Sequence, residues 1–215
     1  MSRPRHWPGA ALAALAALAV AVVAGCAQPP VPRDHFYRID AGAPERAFAT
    51  PPLRGAVMVD RFRADGLVSQ RPVVYSDAAH PFELLQYDYH YWVESPTVMM
   101  AYALTDYLRA AGAAGVVDGP DIRSAAGCRV SGNIRRFERV LGAGSSVVSV
   151  ALEIRLTRRN DGAELLFETY RADMRAGDER MTSIVVAFNA ALRHVFDQFL
   201  DALAARPADC PPLVQ

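Results

Sequence analysis

Apolar positions change their spacing from segment to segment along this chain, and the spacing predicts the elements. Over 182–205 they recur every three or four residues, at Ile184, Phe188, Leu192, Val195, Phe199 and Leu203. Phe196 and Ala191 widen the stripe, while Arg193, Asp197, Gln198 and Asp201 fall toward the other side. That is an amphipathic helix with one face for a core. A second helix is predicted over 96–111. Ser95 stands at its N-cap, Pro96 at its first position and Gly112 at its end. Its inner face should carry Val98, Ala101, Tyr102, Leu104 and Leu108.

The remaining apolar runs are short, β-branched or aromatic, and read as strands over 35–39, 56–62, 72–76, near Val116, and over 128–137, 147–157 and 165–174. Asp161-Gly162 between the last two is a hairpin signal. Over 83–92 the pattern has period two, with Leu85, Tyr87, Tyr89 and Tyr91 set against Leu84, Gln86, Asp88, His90 and Trp92. Strands, helix, strands, helix is an α+β order. The expectation is a mostly antiparallel sheet of about six to seven strands with two main helices packed on it.

The first 26 residues follow a different rule. Arg3 and Arg5 precede a run from Gly9 to Gly25 in which every residue is apolar or small. The run is shorter than the roughly 20 residues most membrane spans need, which is the pattern of a signal peptide. It ends in Val23-Ala24-Gly25-Cys26, which resembles the lipobox of bacterial lipoproteins. There the cysteine thiol takes a diacylglycerol and becomes the new N-terminus. Two or three acyl chains anchor a protein stably, where one does not. Ala27 in place of an aspartate favours the outer membrane. The domain expectation follows: a lipoprotein signal peptide over 1–25, the lipidated Cys26 and an extended proline-rich tether over 26–34, one domain over 35–206, and a proline-rich tail over 207–215.

Composition narrows the function classes. The chain has 215 residues, 52% hydrophobic, with 23 basic and 23 acidic side chains. Losing Arg3 and Arg5 with the signal peptide leaves a balance of about −2, without the basic excess a nucleic-acid binder would show. With Cys26 acylated, Cys128 and Cys210 remain as a candidate disulfide in an oxidising compartment. Their bridge would close a loop of roughly 80 residues, worth on the order of 4 kcal/mol on loop-entropy grounds.

Catalytic patterns find little support. The five histidines, among them His35, His80, His90 and His194, have no metal-ligand spacing. Gly142-Ala143-Gly144-Ser145-Ser146 joins two strand patterns without a lysine, so it reads as a turn and not a phosphate cradle. The expectation is a protein without catalytic residues, metal or cofactor. What stands out is the density of aromatic residues at Tyr87, Tyr89, His90, Tyr91 and Trp92, residue types enriched where proteins meet partners. These five are the candidate partner-binding residues.

At this point the chain resembles the ABC-type transport auxiliary lipoproteins (the PqiC-like family). The likeness is carried by Cys26, by Phe36-Tyr37-Arg38-Ile39 soon after it, and by Asp65-Gly66-Leu67 and Val73-Val74-Tyr75. It continues through Tyr89-His90-Tyr91-Trp92-Val93-Glu94-Ser95-Pro96 leading into a helix, a strand containing 132–138, and the C-terminal amphipathic helix. The resemblance implies an outer-membrane lipoprotein on the periplasmic side. It would serve an ABC transporter that moves lipids between the two membranes, by docking a mammalian-cell-entry (MCE) protein and, through it, the permease and ATPase. Phospholipid is a further candidate partner, and a homo-oligomer would suit a ring-shaped one. Two rivals stay open: a structural or regulatory lipoprotein for cell-wall synthesis or outer-membrane assembly, and a hydrolase assembled around His80, His90 or His194.

Overall fold

The computed structural model describes residues 31–142 and 144–213. The signal peptide, Cys26 and Ala27 therefore lie outside the described residues. The chain order is β1 (His35–Tyr37), β2 (Leu53–Val59), a 3-10 turn (Gly66–Ser69), β3 (Pro72–Asp77), β4 (His80–Trp92), α1 (Pro96–Ala111), β5 (Ala114–Asp118), β6 (Cys128–Gly142), β7 (Ser145–Arg158), β8 (Glu164–Arg175), α2 (Met181–Ala205) and β9 (Ala208–Cys210).

The nine strands form one mixed sheet. It is neither mostly antiparallel nor limited to six or seven strands, which corrects the sequence expectation. β6, β7 and β8 make an antiparallel meander, turned at Gly162, whose φ of 72° suits glycine. The other edge of β6 is shared. Cys128–Val130 pairs in parallel with β2, and Arg139–Leu141 pairs in parallel with β3. From there the sheet forks. β5 lies beyond β2, β9 pairs with the start of β2, and β4 and then β1 lie beyond β3. Only β3–β4 is antiparallel in the two branches. Parallel partners lie far apart in sequence, which is why local patterning did not give them.

Both helices contribute to one core. α2 packs on β7 and β8, and α1 on β5 and β2. Ile184, Phe188, Leu192, Val195, Phe199 and Leu203 are all buried, as the stripe predicts. Gly112 ends α1 in the left-handed conformation, φ 63°. Ala101, Leu104 and Leu108 of the expected α1 face are buried, joined by Met100, Tyr107 and Ala111, whereas Val98 is only partly covered and Tyr102 is exposed. Tyr107 meets Phe196 of α2 at 5.3 Å between ring centroids and donates its hydroxyl to Asp197 at 2.6 Å. The tail is not loose. β9 pairs with β2, Cys210 is bonded to Cys128, and the Leu213 amide donates to the Ala125 carbonyl at 3.1 Å.

Candidate interaction site

β4 starts at a turn and ends in the core, and its aromatic residues divide accordingly. Trp92 is 1% exposed, with Phe137 at 5.1 Å and Phe188 at 5.2 Å between ring centroids. It is a core residue and cannot touch a partner, which removes it from the predicted contact set. Tyr87 is half-buried against Tyr75, with ring centroids 4.5 Å apart, and its hydroxyl accepts from Arg139 Nη1 at 2.7 Å. Burial raises the Tyr87 pKa, against the Arg139 charge, which lowers it. Buried Arg139 also donates to Ser146 Oγ at 2.8 Å and pairs with Glu179. The hydrogen bond from Ser146, with Arg139 behind it, holds the Glu179 carboxyl below the usual carboxylate range.

His90 lies under β1. Its Nδ1 is 2.9 Å from the Tyr37 hydroxyl, and its ring stacks on His35 at 5.2 Å. Burial, then the His35 charge, pushes its pKa down. Tyr37 and Tyr87 also flank the ring. Of the five predicted contact residues only Tyr89 is exposed, and Tyr91, like Tyr87 and His90, is partly buried. Tyr91 donates its hydroxyl to the Asp88 carbonyl and stacks on Phe36 at 5.8 Å. Phe36, 54% exposed, lies beneath the Arg71 guanidinium at 5.5 Å. Phe36, Tyr91, Arg71, Pro72 and Asp34 line a shallow depression of about 280 Å³.

Strict alternation over 83–92 does not hold, and the register shows why. Gln86 faces Val74 and Tyr91 faces Pro72, so β4 bulges between them. Extra residues in one strand re-aim the side chains after them. Tyr87 therefore joins His90 and Trp92 on the packed side, and not Tyr91.

A larger groove, of about 710 Å³, lies where the chain leaving β1 passes α1. Val98 and Met99 contribute apolar surface, with Arg38, Asp40 and Asp106 around them. Arg61 donates to Asp121 at 2.8 Å and Tyr102 also donates to Asp121. Those two hydrogen bonds, Tyr102 first, hold the Asp121 pKa down. No sequence signal joined Tyr102 to Asp121, because periodicity alone put Tyr102 inside. Arg61, Tyr102 and Asp121 are thus bonded to one another across the groove.

The histidines are dispersed. His80 sits at the β3–β4 turn, 3.9 Å from Asp77, and His194 is exposed on α2. Cys128 is bonded to Cys210, so neither sulfur is a nucleophile. Among the described residues no three His, Cys, Asp or Glu side chains gather as a metal site, and no helix is long and apolar enough to cross a membrane.

With this geometry in place, comparison with known proteins defines the class. A family model for the ABC-type transport auxiliary lipoprotein component matches residues 37–199. The chain belongs to that family: a lipoprotein class, membrane-associated and periplasm-facing, that assists an ABC transport system and is not known for catalysis. Its fold is similar to that of a solved protein of Xanthomonas campestris, at 18% identity and a TM-score of 0.66, covering 77% of this chain and 92% of that one. A second solved structure, of an uncharacterised protein, is similar at 10% identity and a TM-score of 0.61, covering 80% and 99%. A search of curated proteins finds no match.

Proposed function

We propose that this protein is an outer-membrane lipoprotein, anchored through acyl chains on Cys26. In this reading it docks the periplasmic MCE subunit of an ABC transporter that moves lipids between the two membranes. The family match over residues 37–199 carries the reading. The small residues before Cys26, and Ala27 after it, support the anchor and the choice of membrane. The aromatic edge supplies a surface of the right kind: exposed Phe36 and partly buried Tyr91 line the depression beside Arg71, Tyr89 is exposed on the same strand, and aromatic residues and arginine are the types enriched at interface centres. The protein would act by holding and positioning, with no bond made or broken.

Two experiments test it. Cys26→Ala should move the protein from the membrane fraction to the soluble one and abolish lipid labelling; labelling retained on that variant refutes the anchor. Tyr89→Asp, which alters an exposed residue, should leave thermal stability within ~0.5 kcal/mol and weaken recovery of the MCE and ATPase subunits with the tagged lipoprotein. Undiminished recovery moves the docking surface elsewhere. Recovery of cell-wall synthases or β-barrel assembly proteins in their place overturns the transport reading.

A further inference from the structure

The turn between β3 and β4 carries an apolar group that the core does not use. Phe82 is fully exposed, and Leu84 and Leu85 are 43% and 39% exposed. Contiguous exposed apolar side chains of this kind mark a surface that is covered in use. Strand addition is a poor candidate for the cover. Pro81 removes an amide donor, Glu83 places a charge among the leucines, and the pairing with β3 shifts register between His80 and Leu85. Those are the devices that discourage an edge from pairing with another strand.

The direction of the chain selects the occupant. β1 is parallel to β4, with His35 opposite His90 and Tyr37 opposite Trp92. β1 therefore starts from the side of its pairing that faces the β3–β4 turn. Nine residue steps lead from Cys26 to His35, a reach of at most about 30 Å at roughly 3.3 Å each. From His90 back to Phe82 the strand spans at most ~26 Å. The length of chain between Cys26 and β1 thus matches the length of strand between His90 and Phe82, and a bilayer holding acyl chains on Cys26 is an apolar surface within reach of the turn. The β6–β7 turn is held to this one by the Ala78 amide on the Leu141 carbonyl at 2.9 Å. Asp77, His80 and Glu83 are the polar groups that would stay at headgroup level.

We propose that the β3–β4 turn is a second membrane contact, with Phe82, Leu84 and Leu85 entering the lipid surface beside the acyl anchor and fixing the orientation of the domain. This deepens the proposed function and rests on its anchor. A lipid anchor on a flexible leash sets only distance; a second apolar contact sets which end faces the bilayer.

The test uses the acylated full-length mature protein in vesicles of phosphatidylethanolamine and phosphatidylglycerol, with bromine on the acyl chains. In Phe82→Trp, the added indole emission should be roughly halved by brominated lipid, as expected for a ring at the acyl boundary. The unsubstituted chain, whose Trp92 is buried, supplies the background. Leu84→Trp should respond in the same sense. Unquenched Trp emission from vesicle-bound, acylated protein overturns the proposal. So does an emission shift that follows protein concentration without lipid, which would assign the turn to a second copy. The intact mass reports the acyl chains separately. Their absence from Cys26 refutes the anchor reading, and added vesicles then decide the turn's lipid contact on its own.

Discussion

Gly132 shows how much one missing Cβ can carry. It sits mid-strand in β6, and a Cβ there would overlap the ring of Phe62. Glycine in a strand interior often marks such a close approach. Phe62, 3% exposed, follows β2 and is tied on both sides. Its amide donates to the Thr97 carbonyl of α1 at 3.2 Å, and the next amide, of Arg63, donates to the Gly132 carbonyl at 2.8 Å. The ring thus seals the fork between β2 and β3 against the first turn of the helix. Gly132→Ala is expected to cost about 1–3 kcal/mol by overpacking, read as a lower urea midpoint. Phe62→Leu placed in the same chain should recover part of the loss. A loss that Phe62→Leu leaves unchanged would show that the glycine acts through the backbone and not through the ring.

At the scale of elements, β1 is the marginal piece, three residues paired to one edge. Its contacts converge on His90, which bonds Tyr37 and stacks on His35. Burial lowers the His90 pKa in the folded state, so the undocked strand binds a proton more readily than the docked one. The His90 contribution is therefore complete above the free-histidine value of about 6.5 and declines as the pH falls below it. Acidification to about pH 5 is expected to lower the protection of the Val93 amide, its exchange rate taken relative to that of a free amide at the same pH, before it affects α2; its N–H donates to the Tyr37 carbonyl at 2.8 Å. His90→Gln should flatten that dependence. If Val93 exchanges at the same relative rate in both proteins across this range, His90 is not the titrating group.

The same elements show what patterning could and could not reveal. α2 was legible because one buried face of a long helix repeats its signal six times, from Ile184 to Leu203. The β7–β8 hairpin was legible because Asp161 and Gly162 encode it locally: the Ala163 amide donates to Asp161 Oδ1 at 3.0 Å. β4 was read as a strand but with the wrong faces, since a bulge leaves no mark on composition. Hence Trp92 lies in the core and Tyr87 packs on Tyr75, while Tyr89 is exposed and Tyr91 stacks on Phe36 at the edge. β9 was missed because three residues between prolines carry no period at all. The groove at Tyr102, Arg61 and Asp121 depended on loops meeting across the fold, which no local pattern encodes.

For the whole molecule, the covalent link between Cys128 and Cys210 matters most. It joins the first residue of β6 to the last of β9, a sequence separation of 82. The closed loop contains β6, β7, β8 and α2, the larger part of the core. Loop entropy alone assigns such a closure roughly 4 kcal/mol. The native contacts leave that term intact, because β9 has its own hold. It pairs with Leu53–Gly55 of β2, and at Gly127 the Pro211 carbonyl lies where a Cβ would stand. A strand that stays docked when reduced gives the crosslink less disorder to suppress in the native state, but it does nothing to the unfolded chain, where the entropy term acts. The two contributions therefore separate by experiment. Cys128→Ala with Cys210→Ala is expected to lower unfolding stability by about 2–4 kcal/mol, with a larger denaturant slope as the unfolded chain expands. Amide protection of Ala208 should persist in that variant under native conditions. If its protection vanishes while the loss is small, the bond serves to fasten β9 locally and contributes little to the stability of the whole.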